Sequence, residues 1–459
     1  MTRHAVLYLT ASALSLLGNS VVAVVLPLLV LLRTGSATGA GTVALATAVP
    51  AILVGIVGGV VIDRVGRRRA SIVSDLVSAG AVAALPLVDL VTGLDLGWFV
   101  ALGVLGAIGD VPGMTAREAL VPAVSRSSGV PLERLVGIRE SIEAGVMVLG
   151  PALAGVLLVT LGDTTVLWVT AATSALAALV TAMLPKALDV LPSGEADPAE
   201  LLPADGSPTG PRAALGRSTD ELRAGLAVVL GDRVLLGATV LSLGSLLVLS
   251  GLQGIVLPVH FTALGEPGRL GLVLSAMAAG LLVGATGYSV VGPRVRPRSV
   301  FVASLLAAAV GVGGMSLLPT TWLLLASAAL AGVASGLMNP VLQVAMMRRT
   351  PEAARGRVLG LQGSAMMAVA PVAVFGSALL VDAAGVRPTG VVVAVAFCVV
   401  VVLGVLAPAL RDLGDGGLPD GGTADGTAAD DMDPDAAVRH THVLPTAAPT
   451  VDRPRAGGS

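Results

Sequence analysis

Apolar runs of membrane length recur along most of the chain, and polar residues gather in the short gaps between them. A run of about 20 residues, wound as a helix, crosses a hydrocarbon core of roughly 30 Å. The pattern predicts helices over about 5–32, 41–62, 71–90, 98–116, 135–161 and 166–184. A second series follows over about 234–259, 270–291, 299–318, 321–347, 358–383 and 389–410. The expected fold class is therefore an all-α polytopic membrane protein, with about twelve transmembrane helices in two pseudo-symmetric six-helix bundles. Between the two series, Lys186 to about Thr219 is rich in Pro, Gly, Asp and Ser and lacks apolar periodicity. Such a segment buries too little surface to fold alone. From Asp220 to Arg233 a helical spacing returns through Leu222, Leu226, Val229 and Leu230, which predicts an amphipathic helix at the membrane interface. The organisation read from this pattern is an N-terminal bundle over 1–185, a linker with its amphipathic helix over 186–233, a C-terminal bundle over 234–410 and a disordered cytoplasmic tail over 411–459.

An internal repeat supports the two-bundle reading. Residues 134–162 align without gaps on 357–385, and Arg134/Arg357, Gly137/Gly360, Ser141/Ser364 and Gly162/Gly385 coincide. Loop charges then orient the chain, because arginine and lysine collect on the cytoplasmic side. Arg64, Arg67, Arg68 and Arg69 follow the second helix, and Arg117, Arg126 and Arg134 follow the fourth. Arg294, Arg296 and Arg298 follow the eighth, and Arg348, Arg349, Arg355 and Arg357 follow the tenth. The opposite loops hold little beyond Arg33, Arg269 and Arg387. Trp98, Trp168 and Trp322 open helices on that opposite side, where interfacial tryptophan is favoured. Both termini are expected inside a cell membrane.

Composition narrows the chemistry. Charged residues make up 13% of the chain, about half the share of a soluble domain, so the few charges within helices stand out. The single cysteine, Cys398, leaves no internal disulfide and no cysteine-based metal site. No Walker A sequence, HExxH or GxSxG occurs, and Lys186 has no glycine-rich loop before it. ATP hydrolysis and membrane-enzyme chemistry therefore have no support, and neither a cofactor nor a metal is expected.

The Gly59–Arg69 stretch reads GxxxDRxGRR between the second and third helices. With twelve helices in two halves and a polar central loop, it resembles the major facilitator superfamily. A degenerate second copy runs from Gly287 to Arg298, with Val291 where the acid would stand. Gly18-Asn19-Ser20, Leu26-Pro27-Leu28-Leu29 and Thr34-Gly-Ser-Ala look like the macrolide and siderophore exporter branch. Gly145, Gly150, Pro151 and Gly155 in the fifth helix resemble the superfamily's antiporter motif, with one residue extra before Gly150. The resemblance implies a conformational gate of Gly59, Asp63, Arg64, Gly66, Arg67 and Arg68. In it Asp63 sits beside the start of the eleventh helix near Val358, and Arg64 and Arg67 reach toward Glu118, a latch expected to form when the protein opens outward.

Ionisable groups inside a bilayer are costly and are functional or paired. Asp110, Glu143, Arg139 and Glu140 are the proton-coupling candidates; the plainer reading is that Asp110 and Glu143 pair with Arg117 or Arg139 and tie helices together, as Asp75 is expected to do. Asn19, Gln253, Asn339, Gln343 and Gln362 are candidate cavity residues, interhelical hydrogen bonding being the plainer alternative. The expected activity is secondary active export of lipophilic or amphiphilic small molecules, powered by a proton gradient. An importer of a metabolite or a non-transporting receptor of the same fold stands as the alternative. Expected partners are a small-molecule substrate and the lipid bilayer, with no nucleic acid, and the protein is expected to be a monomer.

Overall fold

The computed structural model describes residues 2–189, 223, 225–291, 295–318, 320–350 and 355–406; within its helices the side chains of 55–61, 63, 64, 133, 187, 189, 291, 297, 348 and 355–357 lie outside the description. Among the described residues, 12 helices are long and apolar enough to cross a membrane. We number them α1 (Arg3–Thr34), α2 (Ala37–Val65), α3 (Arg67–Val91), α4 (Leu96–Ser128), α5 (Leu132–Leu161) and α6 (Asp163–Ala182). The second series is α7 (Arg233–Ala263), α8 (Arg269–Val291), α9 (Pro297–Ser316), α10 (Thr321–Arg349), α11 (Arg355–Ala384) and α12 (Val386–Leu406). Leu90, Val310 and Val395 are among the many apolar side chains left exposed on the outer faces. Helices apolar on every face are what a lipid surround requires, since their backbone groups are satisfied internally.

Packing repeats six helices on. The pairs α2·α4, α3·α4, α3·α6, α1·α5 and α1·α6 recur as α8·α10, α9·α10, α9·α12, α7·α11 and α7·α12. The two halves meet chiefly along α2·α11 and α5·α8, which the same six-helix shift exchanges. The repeat aligned in sequence is visible at its ends: Gly162 and Gly385 cap α5 and α11 with φ of 81° and 87°.

Two features differ from the sequence pattern. α4 runs on to Ser128, closed by Gly129 at φ 66°, so residues 117–128 are helix rather than loop. Their polarity is local, because Arg117 is buried and ion-paired inside the bundle instead of facing water. The α7 rod contains a π turn over Leu252–Val256 that spacing alone does not reveal. Before it, residues 225–231 are helical, and Asp232 ends that segment by capping the Val234 and Leu235 amides that open α7. Most of the 186–233 linker, residues 407–410 and the 411–459 tail lie outside the described residues.

A single residue, Gly66, turns α2 into α3 with φ 96° and ψ 138°. That region of backbone space is nearly closed to residues with a Cβ. Gly66→Ala is expected to cost about 1–3 kcal/mol of stability, read as a lowered midpoint of unfolding in detergent; an unchanged midpoint would contradict this account of the turn.

Candidate functional site

Two cavities lie in different halves. In the N-terminal half, α1, α2, α3, α4 and α6 enclose about 230 Å³ around Asp110, with Asn19, Ser78, Thr47 and Ser174 on its polar side. In the C-terminal half, α7, α10 and α11 line a cavity of about 720 Å³. Its wall carries Asn339, Gln343 and Gln362 among Met346, Met347 and Met366. Pockets for drug-sized molecules run from roughly 300 to 1,000 Å³, so the larger cavity has room for such a ligand and the smaller one does not. Methionine side chains are flexible and polarisable and form walls that adapt to shape. Gln362 donates to the Met346 sulfur at 3.6 Å, which leaves its carbonyl available.

The candidate cavity residues therefore divide. Asn339, Gln343 and Gln362 come together. Asn19 stands apart from them, in the Asp110 cavity. Gln253 lines neither; it sits in the π turn of α7, where Gly251 and Gly254 meet Ser377 and Val374 of α11.

Ionisable groups of the N-terminal half fall into three environments. Asp75 is 3% exposed and forms a two-bond ion pair with Arg117, at 2.8 and 3.1 Å. Ser15 donates to the same carboxylate at 2.9 Å, and the Tyr8 hydroxyl donates to the Arg117 carbonyl at 3.1 Å. This knot ties α1, α3 and α4 and consumes Arg117. Asp110, one cavity away, has no ion-pair partner among the described residues; Ser78 donates a short hydrogen bond to it, and Asn19 faces it. Glu118 and Glu143 both pair with Arg139, at 3.1 and 3.5 Å, and their side chains are 58% and 49% exposed. Glu140 is exposed and has no ion pair among the described residues. Of the plainer pairing alternatives, Asp75 pairs with Arg117 and Glu143 with Arg139, whereas Asp110 has no ion pair among the described residues.

The basic turn after α2 binds backbone. Arg67 donates to the Ala119 carbonyl at 3.0 Å, and Glu118 pairs with Arg139; the Arg67–Glu118 contact, expected when the protein opens outward, is not formed in this state. Arg68 is buried and donates to the Ala182 carbonyl at the end of α6, where a cation also meets the negative end of the helix dipole. The side chains of Gly59, Asp63 and Arg64, and the expected contact of Asp63 near Val358, lie outside the described residues.

At the opposite, arginine-poor end the halves are closed. Pro151 and Gly155 of α5 lie against Gly271 and Gly268, so near that a Cβ on Gly155 would overlap the Gly268 carbonyl. Gly150 faces Ser20 of α1, whereas Gly145 has open space beside it. Asp382 of α11 accepts from the Thr38 amide at 2.8 Å and the Ala37 amide at 3.3 Å, at the start of α2. Arg33 bridges Asp89 and Asp163 at 2.8 and 2.9 Å. The partners of Asp382 lie more than 340 positions away in the chain.

Comparison with known proteins decides the family. A profile described as Major Facilitator Superfamily matches residues 8–293 and 240–420. The chain belongs to the Major Facilitator Superfamily. It is 32% identical over 414 residues to the multidrug efflux pump Tap of Mycolicibacterium fortuitum, covering 88% of this chain and 95% of that one. The Tap pump of Mycobacterium bovis is 31% identical over 412 residues, covering 89% and 94%. Among solved structures, a bacterial homologue of the iron transporter ferroportin in an inward-facing state superposes with a TM-score of 0.62 at 15% identity, covering 88% of this chain and 98% of that one. A D-xylose–proton symporter superposes with a TM-score of 0.60 at 16% identity, covering 90% and 99%. These two share the superfamily fold with this chain, which is a multi-pass membrane protein.

Removing one partner from a buried ion pair strands the other charge, at about 3–5 kcal/mol. Asp75→Asn is expected to destabilise the protein by that order, and Asp75→Leu combined with Arg117→Met to recover most of it. A denaturant titration in mixed micelles checks this; a double variant as unstable as Asp75→Asn would contradict the pairing.

Proposed function

We propose that this protein is a secondary active exporter of lipophilic or amphiphilic small molecules, driven by the proton gradient and acting as a monomer in the cell membrane. Similarity to Tap efflux pumps over almost the full length of both chains supports the direction of transport and the substrate class. The arginine-rich ends are cytoplasmic, which places both termini inside. In this orientation the 720 Å³ cavity lies at the cytoplasmic ends of α10 and α11, beside the exposed Leu359, Met347 and Met366. The closed α2·α11 and α5·α8 contacts of Asp382 and Gly155 lie at the outer ends. The structure is read as an inward-open state that admits substrate from the cytoplasm or inner leaflet. Rocking of the halves about the cavity then exposes it outward.

One observation carries the coupling: Asp110 is the carboxylate of the N-terminal bundle that lines a cavity and has no ion pair among the described residues, whereas Glu140, likewise without an ion pair there, is exposed. Asp75 is spent on Arg117, and Glu118 and Glu143 share Arg139. An unpaired carboxylate in a small polar cavity is suited to hold a proton in one state and release it in another, with Ser78 and Asn19 as hydrogen-bonding company. A single proton moving down 100 mV supplies about 2.3 kcal/mol, enough to sustain a substrate gradient of roughly 50-fold. One carboxylate is therefore sufficient. The separation of cavities supports a reading with the proton in the N-terminal half and the substrate at the C-terminal wall. The reading is transport rather than catalysis.

Efflux of a fluorescent amphiphile from loaded cells tests this. Protonophore is expected to abolish efflux by the native protein, and Asp110→Asn to lower it by about tenfold or more, the loss of the proton's contribution. Efflux that ignores protonophore removes the coupling; proton-dependent efflux by Asp110→Asn removes Asp110 from the role.

A further inference from the structure

Asp382 is the one acid in the described spans of the C-terminal half, and it is placed on the opposite half. The first amides of a helix have no partners within it. In α2 they are fully accounted for. Gly39 donates to the Ser36 hydroxyl oxygen at 3.0 Å, and Ala40 begins the helical ladder on the Ser36 carbonyl. The remaining two, Ala37 and Thr38, donate to the two oxygens of Asp382 at 3.3 and 2.8 Å, while the Ser36 hydroxyl reaches the same carboxylate at 3.4 Å. A residue of one half thus completes the N-terminus of a helix of the other, with its charge at the positive end of that helix.

Just below, Gly41 presses on α11, where a Cβ would stand 3.0 Å from the Phe375 Cα. These contacts make α2 and α11 an antiparallel pair. Continuing their register at equal rise brings Asp63 level with about residue 355, the first turn of α11. Each helix therefore bears an acid two residues before its last, Asp63 before Val65 and Asp382 before Ala384, level with the start of its neighbour.

The pseudo-symmetric pair α5·α8 lacks this device. The repeat places Val159 where α11 has Asp382, and Val159 packs on Gly268 just before α8. The charged contact is thus particular to α2·α11, whereas its counterpart is apolar.

We propose that Asp382 is the outer latch of the transport cycle, a positioning residue that holds the arginine-poor end closed while the cavity faces the arginine-rich end. Asp382 is exposed, so water takes over its bonds when the halves part and the latch opens without stranding a buried charge. Its strength is that of a surface carboxylate at a helix terminus, which biases an equilibrium instead of freezing it. This inference rests on the alternating-access reading but needs neither export nor proton coupling to be tested.

The experiment measures distances between spin labels at Val91 and Leu317, exposed positions at the arginine-poor ends of α3 and α9, by pulsed electron resonance on protein in nanodiscs. Asp382→Asn is expected to raise the ratio of the long, open-outward distance to the short one by about two- to fivefold, the factor that a carboxylate at an exposed helix start commands. Asp382→Glu is expected to restore part of the native distribution. Ala37→Pro removes one of the two donors without touching the acid; the extended backbone of Ser36 (φ −116°, ψ 120°) accepts a following proline. It is expected to shift the ratio the same way. A native distribution in Asp382→Asn, or a shift that Asp382→Glu does not reduce at all, would overturn the latch. A loss of efflux with unchanged distances would equally overturn it, while leaving the export reading to its own assay.

Discussion

A charge carried into hydrocarbon has to be paired or put to use, and the N-terminal bundle is arranged around that constraint. Arg117 sits two-thirds of the way along α4, in a stretch whose arginines and serines look like a loop, and it is buried at 8% exposure. It is tolerable there because Asp75 meets it with two bonds and Ser15 completes the carboxylate. The pair fixes α3 against α4 and draws α1 in through Ser15 and Tyr8. It also decides what its neighbours are free to do. With Arg117 taken, Asp110, about two helical turns away, is left to hydroxyl and amide partners in a small cavity. The division of labour proposed for this transporter follows from that one commitment.

The two halves were produced from one plan and then diverged where function needed them to differ. Packing pairs recur six helices on, down to glycine caps at Gly162 and Gly385. The acids do not recur. Polar and ionisable groups concentrate in the N-terminal half, and the methionine-rich wall lies in the C-terminal half. Asp382 stands opposite Val159 in the repeat, and Asp63 opposite Val291. An exact twofold would bind both cross-half seams with equal force; under the proposed latch, the charge on α2·α11 makes that seam the one where the balance between open states is set.

Much of this was legible in the chain. Apolar runs of membrane length located twelve helices, because in lipid the hydrophobic signal is long and unbroken. The GxxxDRxGRR stretch and the aligned 134–162 and 357–385 segments pointed to the superfamily and to its duplication. What stayed hidden was whatever depends on partners far apart in sequence. The pairing of Arg117 with Asp75 rather than Asp110 turns on which face of α3 meets α4, and both acids are consistent with the same hydropathy. Local sequence does not show that Glu118 pairs with Arg139 of α5 while Arg67 takes the Ala119 carbonyl. Nothing local marks Asp382 as the cap of a helix that starts near residue 37. The π turn at Leu252–Val256 likewise adds no apolar signature to α7.

The proton-exchanging role proposed for Asp110, the carboxylate that the Asp75–Arg117 pair leaves without an ion pair among the described residues, can be read from its protonation. Infrared difference spectroscopy of the purified protein in lipid, recorded across a step in pH, reads the carbonyl stretch of a protonated carboxyl group directly. Such a band is expected in the native protein, lost in Asp110→Asn and retained in Asp382→Asn. A band that persists unchanged in Asp110→Asn would contradict it.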